Sequence, residues 1–262
     1  MVGVLCFSGE FLSCWRLINA RSMVNKKKSF WGFLLFTFSI FAITMTTKTN
    51  NETAVQTAKS LLQVKAVKLN NEHPFTWASG RKSPIYCDNR ITLSYPEIRT
   101  FIRQRYVDII NEYFGDVDVI AGVATGGIAQ GALVAQELGK PFVYVRSEAK
   151  SHGMTNQIEG EIREGQTVVV IEDLVSTGKS SLIAVHALRE KKCVVKGMVA
   201  IFTYGLDVAA NNFKEADVEL HTLTNYDELI NVAKDENYVH DDDLKSLIEW
   251  RKNPEKWSDD RM

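Results

Sequence analysis

The chain has 262 residues, 45% of them apolar and 24% charged, an ordinary globular composition that excludes a disordered, collagen-like or coiled-coil chain. Thirty-one Lys and Arg stand against 32 Asp and Glu, a formal charge of −1, so no overall field draws the protein to nucleic acid or to an acidic membrane. Four cysteines are too few for a disulfide scaffold.

Residues 1–44 differ in kind from the rest. They hold seven of the 13 Phe, two of the five Trp, two of the four Cys and five basic residues against one acid, Glu10. From Met45 onward the count is 26 basic against 31 acidic residues, a net −5. Lys26, Lys27 and Lys28 ahead of the apolar run Phe30–Ile43 have the order of a secretory signal, without the small-residue cleavage site that normally follows. The run's 14 residues fall short of the roughly 20 needed to cross a hydrocarbon core. The reading adopted is that Met45 opens the biological protein and 1–44 is an upstream extension of the reading frame, with 45–262 as one domain. An export or anchor signal and an integral part of the fold are the alternatives.

Beyond Met45 the pattern predicts an amphipathic helix over Glu52–Leu69, with Val55, Ala58, Leu62, Lys65 and Ala66 on one face. Phe75–Asp88 contains Ser79-Gly80 and Ser83-Pro84 ahead of Ile85-Tyr86-Cys87, which predicts short strands joined by a loop. Ser94, with Pro96 and Glu97 behind it, marks a helix start, and the periodic run reaches Phe114. Val117–Val123, Pro141–Val145, Thr167–Ile171 and Val194–Phe202 are short Val- and Ile-rich runs of the kind buried on both sheet faces. Helical stretches Ile128–Leu138 and Ser180–Glu190 separate most of them, and Val208–Phe213 precedes a further strand at Val218–Leu223. Asn225 and Asp241 are placed to cap two closing helices, Tyr226–Lys234 and Asp242–Trp250. This alternation predicts an α/β fold with a doubly wound, mostly parallel sheet. In such sheets ligands bind beyond the carboxyl ends of the strands, so the residues after each run carry the chemistry.

The strongest such signal is Val168-Val169-Val170-Ile171-Glu172-Asp173-Leu174-Val175-Ser176-Thr177-Gly178-Lys179-Ser180-Ser181. A buried strand delivers two carboxylates, then a hydroxyl-rich glycine turn, then a helix. Helix N-terminal amides and small hydroxyls suit a phosphate. The carboxylates suit sugar hydroxyls, or Mg²⁺ held through water, on the neighbouring part of the same ligand. Gly178-Lys179-Ser180 echoes a P-loop, but that motif needs glycine where Asp173 stands, and a carboxylate there would repel a polyphosphate. Arg146, Lys150 and His152 put two permanent cations and a titratable donor within seven residues of a stretch without helical or strand period.

Glu172–Ser180 resembles the phosphoribosyl diphosphate (PRPP) fingerprint of type I phosphoribosyltransferases. Phe75–Arg90 resembles the N-terminal hood segment of orotate phosphoribosyltransferases, Arg146–Gly153 their mobile catalytic loop, and Gly122–Ala129 their diphosphate-binding turn. The resemblance runs from about Glu52 to the C-terminus and implies the type I fold with a small N-terminal hood. It implies transfer of ribose 5-phosphate from PRPP to N1 of orotate with Mg²⁺, giving orotidine 5′-monophosphate and diphosphate in pyrimidine biosynthesis. Residue by residue, it implies that Glu172 and Asp173 hold the ribose hydroxyls and that Leu174, Val175, Ser176, Thr177, Gly178, Lys179 and Ser180 belong to the PRPP loop. Val175–Lys179 would wrap the 5′-phosphate, and Ser176 would also touch orotate. Thr125 and Gly126 would meet the diphosphate, with Arg146, Lys150 and His152 closing over it. Lys150, His152 and Asp173 are the implied catalytic residues, and the backbone near Tyr86 and Cys87 would face the pyrimidine. The family forms cytoplasmic homodimers whose lids reach the partner's site. No nucleic-acid or membrane partner is implied. The alternatives are a phosphoribosyltransferase for another nucleobase and a PRPP-sensing regulator.

The sequence departs from the pattern at three places. Some members carry Lys where Ser147 and Ala78 stand, and some carry Arg after the strand that here runs into Thr203-Tyr204-Gly205, which leaves the orotate carboxylate without an obvious side-chain partner. Cys87 and Cys193 read as reduced thiols, and His73, His186, His221 and His240 lack metal-ligand spacing. Trp250 and Trp257 read as packing or dimer contacts.

Overall fold

The structure, a computed structural model, describes residues 51–77, 79–147 and 157–262. The 1–44 segment, Ala78, Lys150 and His152 lie outside the described residues. In chain order the elements are α1 (Asn51–Gln63), β1 (Val67–Leu69), β2 (Phe75–Thr76), β3 (Lys82–Ser83), β4 (Ile85–Cys87), a 3₁₀ turn (Asn89–Ser94), α2 (Pro96–Ile109) with a π turn (Ile110–Phe114), β5 (Val119–Val123), α3 (Gly126–Leu138) and β6 (Phe142–Val145). They continue as β7 (Ile158–Glu159), β8 (Thr167–Val175), α4 (Lys179–Glu190), β9 (Val194–Thr203), α5 (Asp207–Glu215), β10 (Leu220–Asn225), α6 (Tyr226–Asp235), α7 (Asp241–Lys252) and α8 (Pro254–Asp259).

The six-stranded sheet has the order β10-β9-β8-β5-β6-β7, and every pairing is parallel except β6 with β7. Alternate residues of each central strand enter opposite cores, as the two-residue strand period requires. Ile120, Val169, Ile171, Val199 and Ile201 pack with Leu61 of α1, Ile102 and Tyr106 of α2, Val134 of α3 and Leu229 of α6. Val119, Ala121, Val168, Val170 and Met198 pack with Leu182, Val185 and Leu188 of α4 and with Phe213 of α5. The doubly wound α/β expectation therefore holds.

The hood is two small antiparallel pairs, β1 with β4 and β2 with β3. It is fastened from the far end of the chain. The main-chain N–H of Lys82 donates to the Ser258 hydroxyl in α8 (2.9 Å), and Arg81 pairs with Glu255. Trp250 of α7 is buried among the rings of Trp77, Tyr204 and Tyr226, with centroids 5.8, 5.6 and 5.3 Å away.

Several boundaries differ from the sequence expectation. The first helix stops at Gln63 because Lys65 turns left-handed (φ 58°), and Val67–Leu69 becomes a strand paired with Ile85–Cys87. Ser94 closes the 3₁₀ turn, so Tyr95 is the N-cap of α2, with Pro96 at its first position. His240, not Asp241, caps α7, and Asp243 completes the capping box. Asn225 caps α6 as expected, accepting from the N–H of Glu228. Strand β8 runs four residues past Ile171 because β9 continues beside it through the pairs Glu172–Ala200, Leu174–Phe202 and Val175–Thr203. Among the described residues no helix is long and apolar enough to cross a membrane.

Truncating a buried Trp costs about 3–5 kcal/mol through lost burial and the cavity left behind. Trp250→Ala is expected to lower unfolding free energy by about that amount in urea titrations; an unchanged midpoint would contradict the support of the hood by α7.

Candidate active site

The connections after β5 and β8 leave the sheet in opposite directions, β5 through α3 to β6 and β8 through α4 to β9, so a crevice opens between the carboxyl ends of these adjacent strands. After β5 the chain turns through Ala124 and Thr125, joined by a cis peptide bond, into Gly126-Gly127 at the start of α3. Backbone approach requires glycine at Gly127, and the Asp173 side chain lies close against Gly126. A Cβ on Gly127 would overlap the carbonyl oxygen of Ile171, and one on Gly126 would overlap the carboxyl group of Asp173. The start of α3 therefore lies directly against the end of β8.

After β8, Ser176-Thr177-Gly178 forms the second turn. Gly178 sits at φ 79°, where a side chain would be strained, and the Thr177 carbonyl is held by the Asn212 amide (2.9 Å). Neither α3 nor α4 has a side-chain cap at its N-terminus, so their leading amides have no side-chain acceptor and suit an anion at the crevice.

The two acids occupy different environments because adjacent strand residues point to opposite faces. Asp173 is partly exposed above Gly126. Glu172 is 4% exposed, with Oε1 accepting from the N–H of Asp173 and Oε2 from the hydroxyl of Ser181, both at 2.9 Å. The backbone is held as closely. The Tyr106 hydroxyl donates to the Glu172 carbonyl and the Asn89 amide to the Asp173 carbonyl, each at 2.6 Å. Burial, and then the Asp173 charge, push the Glu172 carboxyl well above its ordinary range. Burial also raises Asp173, against the opposing charge of Arg90.

Beside Asp173 lies an open cleft of about 560 Å³ lined by Thr76, Trp77, Ser79, Tyr86, Cys87, Leu174, Ser176 and Tyr204. Its walls are aromatic with a few hydroxyls, a setting suited to a flat polar ring. Burial and the nearby Asp173 push the Cys87 thiol well up, so it is a neutral wall group and not a nucleophile.

Of the residues singled out in the sequence, Thr125 and Gly126 lie on one side of the crevice and Glu172–Ser180 on the other. Tyr86, Cys87, Leu174 and Ser176 meet in the cleft. Val175 is fully buried, so only its backbone can serve a ligand. Arg146 stands at the end of β6, 3.5 Å from Glu159 and with its carbonyl accepting from the Gln157 amide. Trp77, Asn89, Ser181 and Tyr106 were given no role from the sequence, and Tyr204 was noted only as a departure from the family pattern. Trp77, Asn89 and Ser181 stand inside the quoted motifs, whereas Tyr106 has no local signal because its partner is 66 residues away.

A model of the phosphoribosyl transferase domain matches residues 91–227. An orotate phosphoribosyltransferase of Phocaeicola vulgatus is 58% identical over 200 residues, covering 76% of this chain and 94% of the relative. One of Staphylococcus saprophyticus is 56% identical over 196 residues, covering 75% and 97%. Among solved structures, orotate phosphoribosyltransferase from Aeropyrum pernix superimposes with a TM-score of 0.61 at 28% identity, covering 70% of this chain and 99% of that one. UMP synthase of Leishmania donovani gives 0.65 at 27% identity, covering 76% and 42%.

A raised carboxyl binds a proton in the folded state that the unfolded chain has already lost, so it makes stability fall as pH rises from 4.5 toward the raised value. Glutamine can keep both contacts, accepting from the Asp173 N–H and donating to the Ser181 oxygen. Glu172→Gln is therefore expected to gain melting temperature relative to the unaltered protein as pH is raised from about 5 to 8. A difference independent of pH would contradict the raised carboxyl.

Proposed function

The chain belongs to the orotate phosphoribosyltransferases, and we propose that it transfers ribose 5-phosphate from PRPP to N1 of orotate, releasing diphosphate. The observation that carries the reading is the juxtaposition of a strand-end carboxylate, two uncapped helix N-termini and an aromatic cleft at one crevice. A ligand with anionic groups at both ends of a sugar, meeting a flat ring, matches that arrangement in charge and shape.

In this reading the amides of the Ser176–Lys179 turn, with the Ser176 and Thr177 hydroxyls, take the 5′-phosphate. Asp173 accepts hydrogen bonds from the ribose hydroxyls, and Thr125 and Gly126 receive the diphosphate at the start of α3. Orotate occupies the cleft between Tyr86, Cys87, Trp77 and Tyr204, next to Ser176. Its N1 bonds to ribose C1 as the C1–O bond breaks and the electron pair leaves with diphosphate. Arg146, Lys150 and His152 close over the leaving group as its charge develops and exclude water. Among the described residues no three His, Cys, Asp or Glu side chains gather around a metal position. The carboxylate of Asp173 at the crevice would suit Mg²⁺ arriving on PRPP, held mainly by substrate phosphates and water, and the ion's role would be to neutralise phosphate charge. We place the reaction in the cytoplasm, since a polyanionic donor cannot cross a bilayer unaided, and in a homodimer whose lids serve the partner's site.

The full chain, given PRPP, Mg²⁺ and orotate, is expected to deplete orotate absorbance; turnover of uracil or a purine in its place would overturn the acceptor assignment. Asp173→Asn removes a charged acceptor worth about 1.5–3 kcal/mol and is expected to weaken PRPP binding about tenfold or more in calorimetry. Lys150→Ala is expected to lower turnover about 100-fold with a smaller change in PRPP affinity, and equal affinity loss at unchanged turnover would argue against a leaving-group role. Mixing Lys150→Ala with Asp173→Asn protein is expected to recover part of the activity if sites are shared.

A further inference from the structure

Asn89 is 1% exposed, and its side chain lies between the cleft wall and the end of β8. Its Nδ2–H donates to the main-chain carbonyl of Asp173 at 2.6 Å, and its Oδ1 accepts from the thiol of Cys87 at 3.2 Å. The Thr92 hydroxyl donates to the Asn89 carbonyl at 2.6 Å, which fixes the residue from a third side. Cys87 lines the cleft, while the Asp173 carboxyl is wedged over Gly126. One planar amide with two rotatable bonds thus connects the wall of the ring cleft to the backbone of the sugar acid.

On one side that backbone takes no ladder hydrogen bond and is met instead by the start of α3. Pairing between β5 and β8 ends at Gly122 and Ile171, so Asp173 lies beyond its neighbour strand. On the other side β9 pairs with Glu172 and Leu174. The Asn89 amide is thus a direct hydrogen-bonded link from Cys87 of β4 to the main chain of the residue that carries the acid.

We propose that Asn89 is a positioning residue that couples the two subsites, so that a base seated in the cleft draws Asp173 into its sugar-binding position. The inference rests on the phosphoribosyltransferase reading. A purely structural Asn89, satisfying a buried carbonyl, would alter stability while leaving the two ligands independent of each other. A coupling residue makes each ligand raise the affinity of the other by the same factor.

The test uses the full chain and ribose 5-phosphate, which keeps the phosphate and the sugar hydroxyls but has no diphosphate to lose, so nothing turns over. Its dissociation constant is measured by calorimetry with and without saturating orotate. The unaltered protein is expected to bind ribose 5-phosphate about fivefold or more tightly with orotate present, a typical coupling size. Asn89→Ala removes both contacts. Asn89→Asp keeps the acceptor toward Cys87 but sets an oxygen against the Asp173 carbonyl. Either variant, shown folded by its melting curve, is expected to bring the ratio close to one and to raise the PRPP KM measured at saturating orotate. A ratio of one in the unaltered protein, or an undiminished ratio in a folded variant, would overturn the proposal. If neither variant folds, Cys87→Ala, which breaks the link at its other end, is expected to lower the ratio likewise, and an undiminished ratio there would overturn the proposal. Failure to consume orotate with PRPP would instead overturn the reading beneath it.

Discussion

Strand β8 outruns its neighbour β5, and the site depends on what holds the part that protrudes. Past Ile171 the strand has β9 on one side and the start of α3 on the other. Buried polar groups need partners, and leaving one unsatisfied costs about 1–3 kcal/mol. The partners come from three separate elements: Tyr106 of α2, Asn89 of the 3₁₀ turn and Ser181 of α4. Satisfying the strand's own polar groups therefore fixes the acids against the 3₁₀ turn, α2 and the start of α4 together. The same contacts that let a carboxylate-bearing strand be buried also align it for a ligand.

Glycine makes this arrangement possible. Gly126 and Gly127 admit the helix start to within contact of β8, and the uncapped amides of α3 and α4 then face the same crevice. Two partial positive helix ends beside a half-exposed Asp173 suit a ligand whose anionic groups flank a polyol. The aromatic cleft adds a subsite of another kind. No described residue lining it carries a formal charge. Recognition of an orotate carboxylate at this wall would fall to hydroxyls such as Thr76, Ser79 and Ser176 and to backbone amides.

The central strands were legible because residues buried on both faces leave unbroken Val and Ile runs, and the Glu172–Ser180 string was legible because acids, hydroxyls and glycine follow such a run. The reading erred where tertiary pairing overrides local pattern. Val67–Leu69 continues the helical period of α1, yet Lys65 breaks the helix and Ile85–Cys87 recruits the segment as a strand. Glu172 and Asp173 look equivalent as neighbours in sequence, and only the strand's alternation separates a buried, doubly bonded carboxyl from one that reaches the crevice. Tyr106 acts through a contact distant in sequence, so no local spacing marks it, whereas the packing expected of Trp250 is found. Composition misled as well, since the charge of −1 averages a basic first 44 residues with a domain near −5.

The claim on which the account turns is that Asp173, held at the end of β8, receives the ribose. A crystal structure of the full chain grown with PRPP tests it most directly. The account predicts the ribose hydroxyls on the Asp173 carboxylate, with the 5′-phosphate on the amides of the Ser176–Lys179 turn. Ribose density away from the crevice, or ribose held by Glu172 with Asp173 turned aside, would contradict it.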